Sequence, residues 1–120
     1  MSGYTQVAGI QGEEFVAQQL VRAGYTIHAR NYRKMYGEID LIAEKGSVIA
    51  FVEVKFRKKN FIHPAELIPP SKQSKIIKTA LSFLSEHNFA QKIARFDVAL
   101  ICDETFTEWY YIESAFCADE

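Results

Sequence analysis

Four charged side chains interrupt stretches that are otherwise apolar. Glu38 and Asp40 lie in Gly37-Glu38-Ile39-Asp40-Leu41-Ile42-Ala43, and Glu53 and Lys55 lie in Val48-Ile49-Ala50-Phe51-Val52-Glu53-Val54-Lys55-Phe56. Burying an unpaired carboxylate or ammonium is expensive, so each must find a partner or face water. Two chemistries fit these residue types. One is a salt-bridged set on a solvated sheet face. The other is a divalent cation held by Asp40 and Glu53, since Mg²⁺ favours hard oxygen ligands and uses one or two carboxylates together with water and phosphate oxygens. The spacing alone does not choose between them.

Both stretches read as strands joined by a tight turn, because two apolar runs flank the short Gly-containing segment Glu44-Lys45-Gly46-Ser47. Side chains on a strand alternate between faces, so Glu38, Asp40 and Ile42 share one face, as do Glu53 and Lys55. A turn centred on Lys45-Gly46 sets Glu38 opposite Glu53 and Asp40 opposite Phe51. All four charges then share a face, with Asp40 diagonal to Glu53 at roughly 7–8 Å. A slip of one residue would send one strand's set to the other face.

The remaining elements frame this hairpin. Met1 to Ala8 carries no pattern and reads as a mobile start. A helix is expected from Gly9 or Gln11 to Ala23, with Phe15, Val16, Gln19, Leu20 and Ala23 at helical spacing and Gly24 as its C-terminal cap. Glu13 and Glu14 then fall in its first turn, where the helix dipole favours carboxylates. Tyr25 to Tyr32 reads as a strand, followed by Arg30, Arg33 and Lys34 as a solvated edge or as phosphate contacts. His28 has no spaced His or Cys companion and takes no metal role. The basic run Arg57-Lys58-Lys59 leaves the strand that carries Lys55, and a cationic rim there would attract a phosphodiester backbone. A second helix is expected from about Ser71, its N-cap, after Pro69-Pro70. Ile76, Ile77, Ala80, Leu81, Phe83 and Leu84 form its apolar arc, with Lys75 and Lys78 opposite and Lys72 at the boundary. Gln73 falls inside that arc, so it either bonds to the preceding loop or points at the site. Arg95 to Cys102 and Glu108 to Glu113 read as two more strands. Asp97, in the first of these, is expected to be structural and to pair with a basic residue.

The order is thus α-β-β-β-α-β-β. Three sequential strands favour an antiparallel meander, and the long helical crossover favours a parallel pairing after it. The fold class is α/β, a mixed sheet flanked by helices. A chain of 120 residues is expected to form one domain, and 48% hydrophobic content with 13% aromatics suffices for a core. The net charge of −1 means that any basic surface is local. There is no signal-peptide pattern and no apolar run of membrane-spanning length, so the expected compartment is the cytoplasm, without a membrane partner. Cys102 and Cys117 have no metal-like spacing and are expected to be reduced, partly buried residues.

Gly37-Glu38-Ile39-Asp40 followed by Phe51-Val52-Glu53-Val54-Lys55 resembles the D…ExK core of the PD-(D/E)XK nuclease superfamily. Over about residues 9 to 116 the chain resembles the small bacterial YraN family (UPF0102), which is similar to archaeal Holliday-junction resolvases. The resemblance implies a restriction endonuclease-like core and a metal-dependent endonuclease. Asp40 and Glu53 would hold Mg²⁺ or Mn²⁺, joined by Glu13, because Gly9-Ile10-Gln11-Gly12-Glu13 matches the Gly-x-x-x-Glu of the resolvases. Lys55 would position the attacking water or neutralise charge. Lys72-Gln73 matches the family's Lys-Gln pair, in which such residues orient water or phosphate. Arg57, Lys58, Lys72 and Lys75 would hold the backbone. The implied partner is nucleic acid, DNA ahead of RNA and branched or repair intermediates among DNAs, and a junction-cutting role would imply a homodimer. Two other readings stand beside this one: a non-catalytic nucleic-acid-binding or assembly module on the nuclease scaffold, and a small interaction protein whose carboxylates and lysine form only a salt-bridge network.

Overall fold

The computed structural model describes residues 6–57 and 64–118. Helix α1 (Gln6–Arg22) leads into a meander of β1 (Thr26–Lys34), β2 (Gly37–Lys45) and β3 (Val48–Phe56). A 3-10 turn (Pro64–Leu67) precedes α2 (Pro70–Glu86), and β4 (Ile93–Ile101) and β5 (Trp109–Phe116) complete the chain. The five strands form one sheet in the order β1-β2-β3-β4-β5. Every pairing is antiparallel except β3 with β4, which the α2 crossover makes parallel, as the sequence order requires.

The alternation of side chains divides the core between the two faces of the sheet. Ile49 and Phe51 of β3 join Phe96, Val98 and Leu100 of β4 beneath Ile76, Ala80 and Phe83 of α2. Ala50 and Val52 join Leu41, Ala43, Ala99 and Ile101 beneath Val16, Ala17 and Leu20 of α1. Central strands covered on both faces become near-continuous apolar runs, as β3 and β4 are. Glu53 and Lys55 continue the Ile49-Phe51 series and therefore belong to the α2 side.

Several boundaries differ from the sequence expectations. Helix α1 already runs from Gln6, inside the stretch expected to be mobile, so Glu13 and Glu14 lie mid-helix and the first turn carries no acidic residue. Their place is not explained by the helix dipole: Glu14 bonds Gln18 one turn on and Arg30 of β1. Helix α2 has Pro69 as N-cap with no side-chain capping bond, so Ser71 does not cap it. Its buried face includes Thr79, whose hydroxyl donates to the Lys75 carbonyl at 2.7 Å, whereas Leu81 is 61% exposed. Cys102 is buried but Cys117 is exposed.

The hairpin register also differs. Lys45 pairs with Val48, so the two-residue turn is Gly46-Ser47, with Gly46 at φ +60°. The pairing is thereby displaced by two residues from the expected one. An even displacement preserves which side chains share a face but changes who stands opposite whom. Leu41–Val52 is the last pair of that ladder, so Asp40 and Glu53 lie just beyond its end.

Asp97 is structural, as expected. Fully buried on β4, it accepts from Arg95 Nε at 3.0 Å, from Tyr111 Oη at 2.6 Å and from the Ser114 backbone N–H at 3.0 Å. Arg95 also bonds the Tyr25 hydroxyl at 2.5 Å, which ties the start of β1 to β4 and β5. Burial, followed by the charge of Asp97, pushes the Tyr111 hydroxyl well above its ordinary pKa. Among the described residues no helix is long and apolar enough to cross a membrane.

Candidate active site

At Asp40 the hairpin opens. The β2–β3 ladder ends at Leu41–Val52. Ile39 joins the same core as Ile42, three residues on, so the alternation of faces breaks between them. The Val54 N–H then donates to Asp40 Oδ2 at 2.8 Å, a side-chain oxygen acting as acceptor beyond the end of the ladder. The sequence thus builds a gap into the sheet and aims a carboxylate at it.

The gap is a cavity of about 220 Å³ lined by Gly37, Glu38, Asp40, Glu53, Lys72, Lys75 and Ile76. Helix α2 closes it because Gly37 lets the strand approach. A Cβ there would lie 2.6 Å from Thr79 Oγ1 and 2.9 Å from the Lys75 carbonyl oxygen. The glycine of Gly37-Glu38-Ile39-Asp40 is therefore a packing requirement.

Charge dominates this cavity. Glu53 is 6% exposed, and its Oε2 lies 2.5 Å from Lys72 Nζ and 3.8 Å from Lys55 Nζ. Asp40 is half-buried; burial, and next the Glu53 charge, push its carboxyl up to about 7. Lys55 is pushed down from the ordinary lysine range by burial and by the neighbouring Lys72 charge. Glu13 is also raised, first by burial and then by Glu38 and Glu53, while a hydrogen bond from the Asn31 side chain opposes the rise.

The structure therefore brings Asp40, Glu53 and Lys72 together, with Lys55 beside Glu53 and Lys75 on the cavity wall. Glu13, Lys55 and Gln73 are not part of that wall. Glu13 reaches the site as a neighbouring charge felt by Asp40. Gln73 adopts the loop-bonding alternative, its Nε2 donating to the Ile68 carbonyl at 2.9 Å. Glu38 pairs with Arg33 at 3.2 Å. Arg57 is exposed at the end of β3, its guanidinium on the Phe56 carbonyl at 2.7 Å. Lys58 lies outside the described residues. Sequence reasoning missed Asn31, a β1 residue at φ +51° that falls between the Arg30–Leu41 and Tyr32–Ile39 pairs. The available signal was an Asn inside a strand pattern, since Asn tolerates the left-handed region.

The donor set suits a hard divalent cation. Asp40 and Glu53 both line the cavity, and burial, then the charge of Glu53, drive Asp40 towards protonation. The ammonium of Lys72 on Glu53 marks a position where the pocket accepts a cation. Among the described residues no three His, Cys, Asp or Glu side chains converge as a ready-made metal cluster. An ion here would draw on two carboxylates and complete its shell from water and phosphate oxygens, the usual habit of Mg²⁺.

The profile of the uncharacterised protein family UPF0102 matches residues 12–101. A UPF0102 protein of Chloroherpeton thalassium is 43% identical over 123 residues, covering 93% of this chain and 95% of that protein. One from Coxiella burnetii (strain RSA 331) is 37% identical over 111 residues, covering 91% and 92%. Among solved structures, Hjc of Archaeoglobus fulgidus, a Holliday junction resolvase, superposes with a TM-score of 0.55 at 19% identity, covering 87% of this chain and 70% of that one. At that identity the likeness is one of fold, and the fold is the restriction endonuclease-like core.

Proposed function

The chain belongs to the UPF0102 family, and from that premise we propose that it is a metal-dependent endonuclease hydrolysing phosphodiester bonds. The observation that carries this reading is the end of the β2–β3 ladder just before Asp40, where Asp40 and Glu53 line one charged cavity together with Lys72 and Lys75. The likeness of fold to a Holliday junction resolvase supports it. Asp40 and Glu53 would hold Mg²⁺ or Mn²⁺, with Glu13 adding negative charge nearby. A bound ion of this kind lowers the pKa of a water and stabilises charge on phosphate oxygens. Lys55 would orient the attacking water or neutralise the developing negative charge, a role suited to a partly desolvated ammonium. Lys75, Arg57 and Lys72 would receive the flanking phosphates. Gln73 steadies the start of α2 through Ile68 and so holds Lys72 in place. DNA, branched or in repair, is the substrate class favoured, and a junction substrate would call for a two-fold homodimer.

A second reading has an observation of its own. The contact between Lys72 and Glu53 already neutralises a buried carboxylate without any metal, as a non-catalytic nucleic-acid-binding module on this scaffold would require. One experiment separates the two. Labelled single strands, duplexes, flaps, four-way junctions and structured RNA are incubated with the protein in Mg²⁺, Mn²⁺ or EDTA. The expected outcome is metal-dependent cutting that is lost in Asp40→Asn, Glu53→Ala and Lys55→Ala with the fold intact. Full activity in all three purified variants would sink the mechanism. Binding that ignores metal, with no cutting of any substrate, would favour the binding module.

A further inference from the structure

We infer that Met35 is a wedge that enters the base stack of the bound nucleic acid beside the cavity, an inference that rests on the nucleic-acid reading above and names a contact by which the site engages its substrate. Lys34 pairs with Gly37, so Met35 and Tyr36 are the two residues that turn β1 into β2. Met35 is 97% exposed, so its side chain meets almost nothing of this protein. A single apolar side chain at a surface calls for no explanation by itself. This one differs in how firmly its neighbours are held and in what stands around it. The Tyr36 hydroxyl shares a hydrogen bond with the Ser82 hydroxyl of α2, and the Lys78 ammonium lies 5.0 Å from the centre of the Tyr36 ring. On the other side of Met35, Lys34 pairs with Glu86, the last residue of α2, at 2.5 Å. The turn is thus clamped to the helix through both of its flanks, and Met35 is presented from a fixed base.

Its position points to the partner. Gly37 and Glu38 line the cavity, and the Cα atoms of Met35 and Gly37 are at most about 7 Å apart along the chain. Lys72, Lys75 and Lys78 follow at three-residue spacing along α2, a rise of about 9 Å from first to last, and lead from Glu53 to Tyr36. Side chains three apart are neighbours on a helix surface. Lys75 and Lys78 are exposed. Arg33 and Lys34 add charge at the tip but are matched by Glu38 and Glu86, so the surplus around Met35 is positive. A cationic track that leads from two carboxylates to an apolar tip fits a phosphodiester backbone with its bases beyond it. Proteins that kink nucleic acid insert Met, Leu, Ile or Phe between base steps and partly unstack them. The flexible, polarisable thioether of Met suits contact with aromatic rings. Unstacking costs least where pairing is already interrupted, so the wedge enters at a branch or discontinuity rather than within continuous duplex.

The test uses a DNA four-way junction and a matching continuous duplex, each carrying 2-aminopurine in turn at the positions around the branch point. The fluorescence of this base rises when it unstacks. Asp40→Asn is the parent protein, so that binding is read without cutting. The expected result is a several-fold rise beside the branch and little change in the duplex. Adding Met35→Ala should abolish the rise, and Met35→Leu in its place should restore it. Anisotropy should show Met35→Ala weakening junction binding by less than about 10-fold, because the gain from burying one side chain is offset by unstacking. The melting temperature should not change, since Met35 is 97% exposed. An equal rise with and without Met35 would overturn the wedge, as would a loss that Met35→Leu fails to restore. Junction binding with no rise at any position would overturn this inference alone and leave Met35 to a protein partner. Failure to bind junction and duplex alike at low salt would overturn the nucleic-acid reading and this inference with it.

Discussion

A carboxyl group buried near another carboxylate pays for its position in stability, and Asp40 makes that cost measurable. Its pKa in the folded protein is about 7, against an ordinary value of 3.8. Between about pH 4 and pH 7 the folded state therefore holds a proton that the unfolded state has released, and stability falls as pH rises through that window. Above it the stabilising effect of the proton is lost, an upper bound of about 4 kcal/mol at 1.36 kcal/mol per pH unit. Asp40→Asn keeps an oxygen for the Val54 N–H and removes the titrating charge. It is expected to raise the melting temperature of the metal-free protein by several degrees at pH 8 and to change it little at pH 4. A variant no more stable than the wild type at pH 8, by scanning calorimetry, would mean that Asp40 is ionised at little cost. Asp40, Glu53 and Lys55 were legible in the sequence because charges inside an apolar alternation demand explanation. Asn31 was not, because a left-handed residue within a strand leaves no mark on hydrophobic periodicity. The Lys72–Glu53 contact was hidden for another reason: it joins two elements whose relative rotation no local pattern specifies.

At the scale of elements, the site depends on how closely β2 can lie against α2. Gly37 sets that distance, since an added Cβ would meet the Thr79 hydroxyl at 2.6 Å and the backbone carbonyl of Lys75 at 2.9 Å. The hydroxyl could be trimmed, but the carbonyl belongs to the helix and can move only with it. Gly37→Ala is therefore expected to cost about 1–3 kcal/mol, the usual range for overpacking, and to widen the cavity. Cleavage should fall by more than the loss of stability explains, with Thr79→Ala restoring only part of it. A fully stable, fully active Gly37→Ala, by thermal melt and turnover, would show that the packing relaxes. The order of elements and the parallel β3–β4 pairing were legible, because strand alternation and the helical crossover admit few topologies. The turn was misplaced by one residue because Glu44 and Lys45 look like loop residues yet stay in the ladder, paired with Ile49 and Val48. Burial of Thr79 in place of Leu81 follows from the same close approach: α2 meets the hairpin with a small hydroxyl, which bonds back to Lys75, and turns its leucine to solvent.

For the whole molecule, a net charge of −1 limits how nucleic acid can be held. The sheet separates two faces. One carries the cavity with Lys72 and Lys75; the other carries the Tyr25-Arg95-Asp97-Tyr111 network, whose charges satisfy one another. Several basic groups near the site are already engaged, Arg33 by Glu38, Lys34 by Glu86 and Arg30 by Glu14. Among the described residues few cations remain for phosphates, so the contacts they make should give only a shallow dependence on salt. Each neutralised phosphate contributes about 0.9 to the slope of log K against log salt on duplex DNA, so three or so contacts give a slope of roughly −3. A fluorescently labelled four-way junction titrated with Asp40→Asn, which binds without cutting, would measure it by anisotropy between 50 and 200 mM KCl, a range in which such slopes are usually resolved. Lys75→Ala should weaken binding at every salt concentration and flatten the slope by about 1, with the melting temperature unchanged because Lys75 is an exposed side chain. A slope steeper than about −6 would require twice as many phosphate contacts and would move the binding surface away from the cavity. An unaltered slope in Lys75→Ala would take that residue out of the path of the backbone while leaving the carboxylate pair as the site of chemistry.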